Sequence, residues 1–376
     1  MIHFKCTCGN ALFFENTLCL QCGNMVGYDA DGNTMRPVGS AFARCRNGTE
    51  FGVCNRVVPM SGPEYCAACR LNRTVPDLSV PGNLEAWRKM ETAKRRALYT
   101  LTRLGIEPSN RQEQPDGLAF EFLAPVPGQR VITGHREGVI TLNILEADDL
   151  YREHERHALG EPYRTLLGHF RHELGHYHWD RFFQQRGEGD PLLAEFRTLF
   201  GNEREDYAAA LARHYANGVD ATWRASHITS YAAAHAWEDW AETWAQYLHI
   251  VDTMETAQAF GWMSESVPIP FAPFLPAEVA GDAPETEATF LAMLNGWARL
   301  APALNELAAS LGHATLYPFI LSPPVVRKIM FASRMVGVHR DRVGIGTGGA
   351  LASQTQPDGE AHHELPNETA GATMPG

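Results

Sequence analysis

The stretch Arg164-Thr-Leu-Leu-Gly-His169-Phe-Arg-His172-Glu173-Leu-Gly175-His176-Tyr-His-Trp-Asp180 decides the reading of this chain. Its spacing predicts a helix on which His172 and His176, four residues apart, share one face. Two imidazoles so placed can converge on one zinc ion. Glu173, beside the first of them, points next to the metal rather than at it, where it can take a proton from water. Gly175 inside a helix costs ~1 kcal/mol against Ala, which predicts that another element packs closely there.

A zinc ion held by two histidines needs a further protein ligand, and a later helix offers one. His235-Ala-Trp-Glu238-Asp-Trp-Ala-Glu242-Thr-Trp-Ala-Gln-Tyr-Leu-His249 carries Glu238 and Glu242 one turn apart on one face. Trp237, Trp240, Ala241, Trp244, Ala245 and Leu248 would bury that helix. Two carboxylates turned to a core are costly without a cation or donors. One would bind zinc while the other orients a ligand histidine. Nearer the motif, Asp180 either accepts the second ring N–H of His176 or is an ordinary residue at the helix end. His169, one turn before His172, is either a supporting or substrate-facing group or a satisfied helix histidine. Tyr207, His214, Tyr215 and Tyr317 are weaker candidates.

Imidazole chemistry is thus concentrated mid-chain, and thiolate chemistry at the start. All eight cysteines lie between Cys6 and Cys69. Cys6-x-Cys8 with Cys19-x2-Cys22 forms one set, and Cys45, Cys54 and Cys66-x2-Cys69 a second. Close cysteine pairs on two turns suit a tetrahedral four-thiolate zinc site, and Gly9 and Gly23 let amides turn toward the sulfurs. The chain between Cys8 and Cys19 reads as a short hairpin, the shape of a zinc ribbon. Disulfides are the competing reading, but no export signal is visible and cytosolic thiols stay reduced. Four thiolates leave no open position on the metal, so both sites are structural.

The remainder bounds the architecture. The chain has 376 residues, 44% apolar and 20% charged, a globular balance that excludes fibrous or wholly disordered classes. A net charge of -12 argues against a general nucleic-acid binder. No apolar run is long enough to span a membrane. Met1-Ile-His-Phe-Lys-Cys6 has no signal-peptide core, so a cytoplasmic location is expected. Residues 70–84 read as a linker. Residues 85–105 read as a helix crowded by Arg88, Lys89, Lys94, Arg95 and Arg96, either a solvated face or a contact for nucleic acid or an acidic partner. Residues 118–145 alternate as strands, with Gly138–Ile144 expected at a sheet edge along which an extended substrate can pair. Residues 146–251 are helical in pattern, 262–284 loop-like, 286–312 and 323–336 again helical. From 340 onward no apolar periodicity remains, which predicts a disordered tail.

His172–His176 with a distant Glu-x-x-x-Glu resembles the gluzincin class of zinc metallopeptidases. In its lethal-factor-like members the first glutamate binds zinc and the second supports it; the resemblance implies Glu238 as ligand and Glu242 as support. It also implies that Tyr231, seven before Glu238, hydrogen-bonds the oxyanion; a core tyrosine is the plainer alternative. A closer resemblance spans roughly residues 3–335. The ribbon cysteines, Cys66-Ala-Ala-Cys69-Arg-Leu-Asn, Ala93-Lys-Arg-Arg, Ile132-Thr-Gly-His, Glu146-Ala-Asp-Asp149, Glu161-Pro-Tyr-Arg-Thr-Leu-Leu-Gly-His-Phe-Arg-His-Glu and Trp237-Glu-Asp-Trp-Ala-Glu242 are similar to bacterial zinc-binding metallopeptidases with an N-terminal zinc ribbon.

The expected fold is α+β: a zinc ribbon at 1–38, a second four-cysteine unit at 39–75, and a mostly helical zincin-like domain with a small antiparallel sheet at 76–338, then the tail at 339–376. The expected cofactors are one catalytic and two structural Zn2+. The expected activity is peptide-bond hydrolysis on a peptide or protein substrate. The rival reading is a binding or regulatory module, whose ribbons recruit protein or nucleic acid beside an inactive zincin domain; a hydrolase of non-peptide amides is a third.

Overall fold

In the computed structural model, residues 1–126, 128–159, 165–217, 221–262, 264–279 and 285–344 are described. The tail expected from 339 therefore lies, beyond Gly344, outside the described residues.

The first cysteine set is built on β1 (Phe4–Lys5) and β2 (Ala11–Leu12), an antiparallel pair. This hairpin brackets Cys6-x-Cys8 instead of lying between Cys8 and Cys19, because Gly9, at φ 88°, makes the reversal. An antiparallel pair of β3 (Val26–Asp29) and β4 (Thr34–Pro37) follows. Phe4, Leu12, Phe14, Val26, Tyr28 and Met35 close a small core of their own.

The second set spans β5 (Phe42–Arg44), α1 (Arg46–Glu50), β6 (Val57–Pro59) and α2 (Ala67–Arg70). Its four cysteines are buried in the main core with Trp87 and Met90. Residues 70–84 are not merely a linker. They contain β7 (Asn72–Thr74), which pairs with a strand of the following domain, so packing is continuous across residue 75.

The helix α3 (Asn83–Arg103) carries both ribbons. Tyr99 on it meets Phe14 of the first ribbon at 5.3 Å between ring centroids. Its cations divide: Lys94 and Arg95 are buried, while Arg88, Lys89 and Arg96 keep part of a solvated face. Lys94 and Glu91 form a fully buried ion pair of 2.8 Å. Arg95 and Arg96 each hold Glu15 at 3.1 Å, Lys89 donates to the Ala147 carbonyl, and Arg88 pairs with Glu85. Helical spacing reveals charges on α3 but not that the ribbons wrap over them.

Beyond α3 come β8 (Ala119–Leu123), β9 (Gly134–Arg136) and β10 (Val139–Asn143), in a sheet of order β7-β8-β10-β9. The ribbon hairpins are antiparallel, but this sheet is mixed: β7–β8 and β8–β10 are parallel and β9–β10 antiparallel. The long crossover through α3 permits the parallel β7–β8 pairing. Gly138–Ile144 is not an edge: β10 is flanked on both sides, and β9 is the edge strand on that side.

A short 3-10 turn and α4 (Asp149–Leu159) lead to the helix pair that frames the site. The first is α5 (Leu166–Phe183), capped by Thr165, whose hydroxyl accepts from Gly168 N. Then come α6 (Pro191–Phe200), with Asp190 as cap and Pro at its first position, α7 (Tyr207–Asn217), and α8 (Ala236–Ala259). Phe182, Phe183, Phe196, Phe200, Trp240 and Trp244 interlock between α5, α6 and α8. Further on, α9 (Pro276–Val279), α10 (Glu285–Ser310) and α11 (Pro323–Arg342) cover the far side of α8. Among the described residues no helix is long and apolar enough to cross a membrane.

Candidate metal centre

Gly175 lies where α5 meets α8. A Cβ built there would come within 2.9 Å of Ala241 Cα, and the Trp240 indole donates to the Gly175 carbonyl at 2.8 Å. The closely packed element read from this glycine is α8. That approach brings the two motif helices together with their polar faces aligned. His172 Nε2 lies 3.1 Å from His176 Nε2 and 3.1 Å from Glu238 Oε2; His176 Nε2 lies 3.5 Å from the same oxygen. A tetrahedral zinc with bonds of about 2.0–2.2 Å has ligand atoms about 3.4 Å apart, so the three atoms fit one ion.

The surroundings fit it too. Glu238 is 1% exposed, and its Oε2 accepts no well-directed hydrogen bond. Its other oxygen accepts the Tyr207 hydroxyl at 2.6 Å. A buried, half-satisfied carboxylate facing two imidazole nitrogens is a cation site in its donor chemistry. Burial alone would raise the Glu238 carboxyl, but His176 and His172 hold it well below the usual range. Burial opposes charge on His172, yet Glu238 and Glu242 raise its ring well above the ordinary histidine value. Positive charge is thus drawn into this point. Glu242 Oε1 lies 2.7 Å from His172 Nδ1; a proton there leaves the Nε2 lone pair facing the site.

Glu173 borders the cleft beside the ligand histidines. Its Oε2 is buried without a hydrogen-bond partner, and burial pushes its carboxyl up, against the pull of His172 and His176. The cleft, of about 340 Å³, is lined by Thr133, Glu146, His169, His172, Tyr231 and Glu242 among others. Tyr231 reaches it with its ring centroid 6.1 Å from His172. Burial pushes its hydroxyl far up, so it is a proton donor at all ordinary pH.

Asp180 and His169 are placed differently from each other. The His176 Nδ1 is buried with no hydrogen-bond partner, so Asp180 does not accept from it. Asp180 instead borders a separate hollow with Arg111, Arg181 and His339, and burial raises its carboxyl to about 6 against the nearby His176. His169 gives its Nδ1 side to Glu146, on the cleft wall rather than against the three ligand atoms. Tyr215 lines the cleft, His214 stands 6.3 Å from Tyr231 between ring centroids, and Tyr317 packs edge-on against Trp297. Tyr207, a weaker candidate by sequence, proves to touch Glu238 directly. Nothing in its spacing signals this, because it comes from a different helix.

The cysteine sets are equally regular. All eight are free thiols. In the first, Cys6–Cys22 and Cys8–Cys19 are 3.7 Å apart between sulfurs; in the second, Cys54–Cys66 is 3.8 Å. Disulfide sulfurs would be about 2.05 Å apart, whereas zinc–sulfur bonds of about 2.3 Å place them about 3.8 Å apart. Beside the second set Arg56 is 1% exposed, with no hydrogen-bond partner on any guanidinium nitrogen. Four thiolates around a divalent ion would carry a net negative charge, which together with the Glu107 carboxylate would balance this arginine.

Comparison with known proteins agrees with this geometry. A family model described as "Putative zinc-binding metallo-peptidase" matches residues 83–335, and a zinc-ribbon domain model matches residues 3–80. Uncharacterized proteins of Mycobacterium bovis and Mycobacterium tuberculosis are 38% identical over 344 residues, covering 89% of this chain and 95% of theirs. No solved structure matches. The chain belongs to the zinc-binding metallo-peptidase family, with a zinc ribbon ahead of its peptidase domain.

Proposed function

We propose that this protein hydrolyses peptide bonds at a zinc held by His172, His176 and Glu238. The observation that carries the reading is the convergence of those three ligand atoms beside a cleft that Glu173 also borders. Zinc in that position supplies a Lewis acid that acidifies water toward pKa ~7 and polarises a carbonyl. Glu173 takes the proton of the attacking water and passes it to the leaving amine. Glu242 holds His172 in the tautomer that offers Nε2 to the metal. Tyr231, a donor whose ionisation is suppressed, hydrogen-bonds the carbonyl oxygen as charge develops on it. An extended peptide or protein would meet edge strand β9 rather than β10.

The two cysteine sets hold structural zinc, giving one catalytic and two structural ions. Eight free thiols suit a reducing compartment such as the cytoplasm. Recruitment of a protein or nucleic acid by the ribbons keeps one supporting feature. Leu20, at the tip of the Cys19–Cys22 turn, is 88% exposed. The basic helix gives less support, since Lys94 and Arg95 are buried and Arg96 holds Glu15.

The test is Glu173→Gln in the full chain, assayed on casein and on a fluorogenic peptide mixture. It should retain all its zinc and lose turnover. Turnover near the wild-type rate would refute the mechanism.

A further inference from the structure

The Glu238 carboxylate divides its two oxygens between different neighbours. Oε2 faces His172 and His176, and Oε1 accepts the Tyr207 hydroxyl. Tyr207 is the first residue of α7, and Asp206 before it caps that helix by accepting from Ala209 N at 2.9 Å. Its ring is wedged edge-on against His235, at 5.4 Å, and Trp237, at 5.8 Å. His235 in turn caps α8, its Nδ1 accepting from Trp237 N at 3.0 Å. Tyr207 is therefore fixed to the same helix start that carries Glu238 in its first turn.

We infer that Tyr207 is a positioning residue of the metal centre, reserving Oε1 of Glu238 so that Oε2 alone is offered to the metal. This rests on the zinc reading given above. A carboxylate free on both oxygens can swing or chelate through both, which changes the ligand count and closes the open position a hydrolase needs. A hydrogen bond to one oxygen prevents the swing and removes the rotational freedom that metal binding would otherwise have to freeze. Partners of this kind typically set metal affinity by 10–100-fold. The hydrogen bond and ring contacts of Tyr207 run to Glu238, His235 and Trp237, away from the cysteine sites, so its influence should be confined to this one ion.

The experiment measures Zn2+ affinity at this centre in the full chain, with both cysteine sites loaded, by competition against a chromophoric chelator. Wild type, Tyr207→Phe and Tyr231→Phe are compared, with melting temperatures recorded for each. Tyr207→Phe keeps the wedged ring and removes only the hydroxyl. The expected result is a 10–100-fold weaker third zinc in Tyr207→Phe, with two ribbon zincs retained, and wild-type affinity in Tyr231→Phe. Equal affinity in Tyr207→Phe and wild type would overturn the inference, even if its melting temperature fell. So would an equal loss in Tyr231→Phe, which leaves the Tyr207–Glu238 bond in place. A wild-type protein that takes up no third zinc would instead overturn the metal reading itself, and this inference with it.

Discussion

Replacing Gly175 by alanine should destabilise this protein and loosen its metal centre, although alanine is the better helix former. A methyl carbon at that position would lie 2.9 Å from Ala241 Cα, 3.2 Å from the Ala241 carbonyl oxygen and 3.2 Å from Trp244 Cβ. Comfortable carbon contacts are about 3.5–4.0 Å, so α5 and α8 must part by some tenths of an ångström. The obstacle is backbone, which cannot turn aside as a flexible side chain could. Overpacking of this kind costs about 1–3 kcal/mol, and the gain in helix propensity returns about 1 kcal/mol. The net is a loss of up to about 2 kcal/mol, a fall in melting temperature of up to ~3 °C for a chain of this size. The metal site should suffer as well, because two of the proposed ligands, His172 and His176, sit on α5 and the third, Glu238, on α8. The assay is thermal unfolding with and without a zinc chelator, together with zinc competition. A melting temperature raised by the propensity gain, with unchanged zinc affinity, would refute the claim that Gly175 is where these helices touch.

Three further outcomes follow from the same contacts. Glu242→Gln should keep the fold but weaken the third zinc about 10–100-fold, through the lost charge beside His172 Nδ1, read by chelator competition. Asp239→Ala should cost ~3–5 kcal/mol in denaturant unfolding, because it removes the carboxylate 2.6 Å from buried Lys328 and leaves that ammonium only the Ser226 carbonyl; a cost below 1 kcal/mol would mean the pair is not buried in solution. A chelator should strip the first cysteine set before the second, since Cys8 and Cys22 are exposed whereas Cys45, Cys54, Cys66 and Cys69 are all buried. Two-phase zinc release followed by a chromophoric indicator would show the order, and the second phase should coincide with loss of the main core.

Much of the centre was legible because helical periodicity fixes neighbours within one helix. His172 and His176, or Glu238 and Glu242, are placed relative to each other by four-residue spacing alone, and Gly175 even announced the meeting of the two helices. What periodicity does not carry is strand order and contact between separate elements. Gly138–Ile144 has the alternation of an exposed-edge strand, yet β9 covers it. Asn72–Thr74 shows no apolar alternation and reads as linker, yet it joins the sheet because buried Lys94 and Glu91 reach its Asn72 side chain. The five cations on α3 look like one surface for a polyanion, yet Lys94 is buried against Glu91, and Glu15 and the Val53 carbonyl fold over Arg95 and Arg96. Asp180 has the right spacing from His176 but the wrong direction, and Tyr207 reaches Glu238 from a helix that no spacing rule links to it.

The central claim is that His172, His176 and Glu238 hold a zinc ion distinct from the two in the cysteine sites. Elemental analysis of purified wild type and Glu238→Ala tests it most directly. The account predicts near three zincs per chain in wild type and near two in the variant. Two zincs in both proteins, or three in both, would contradict it.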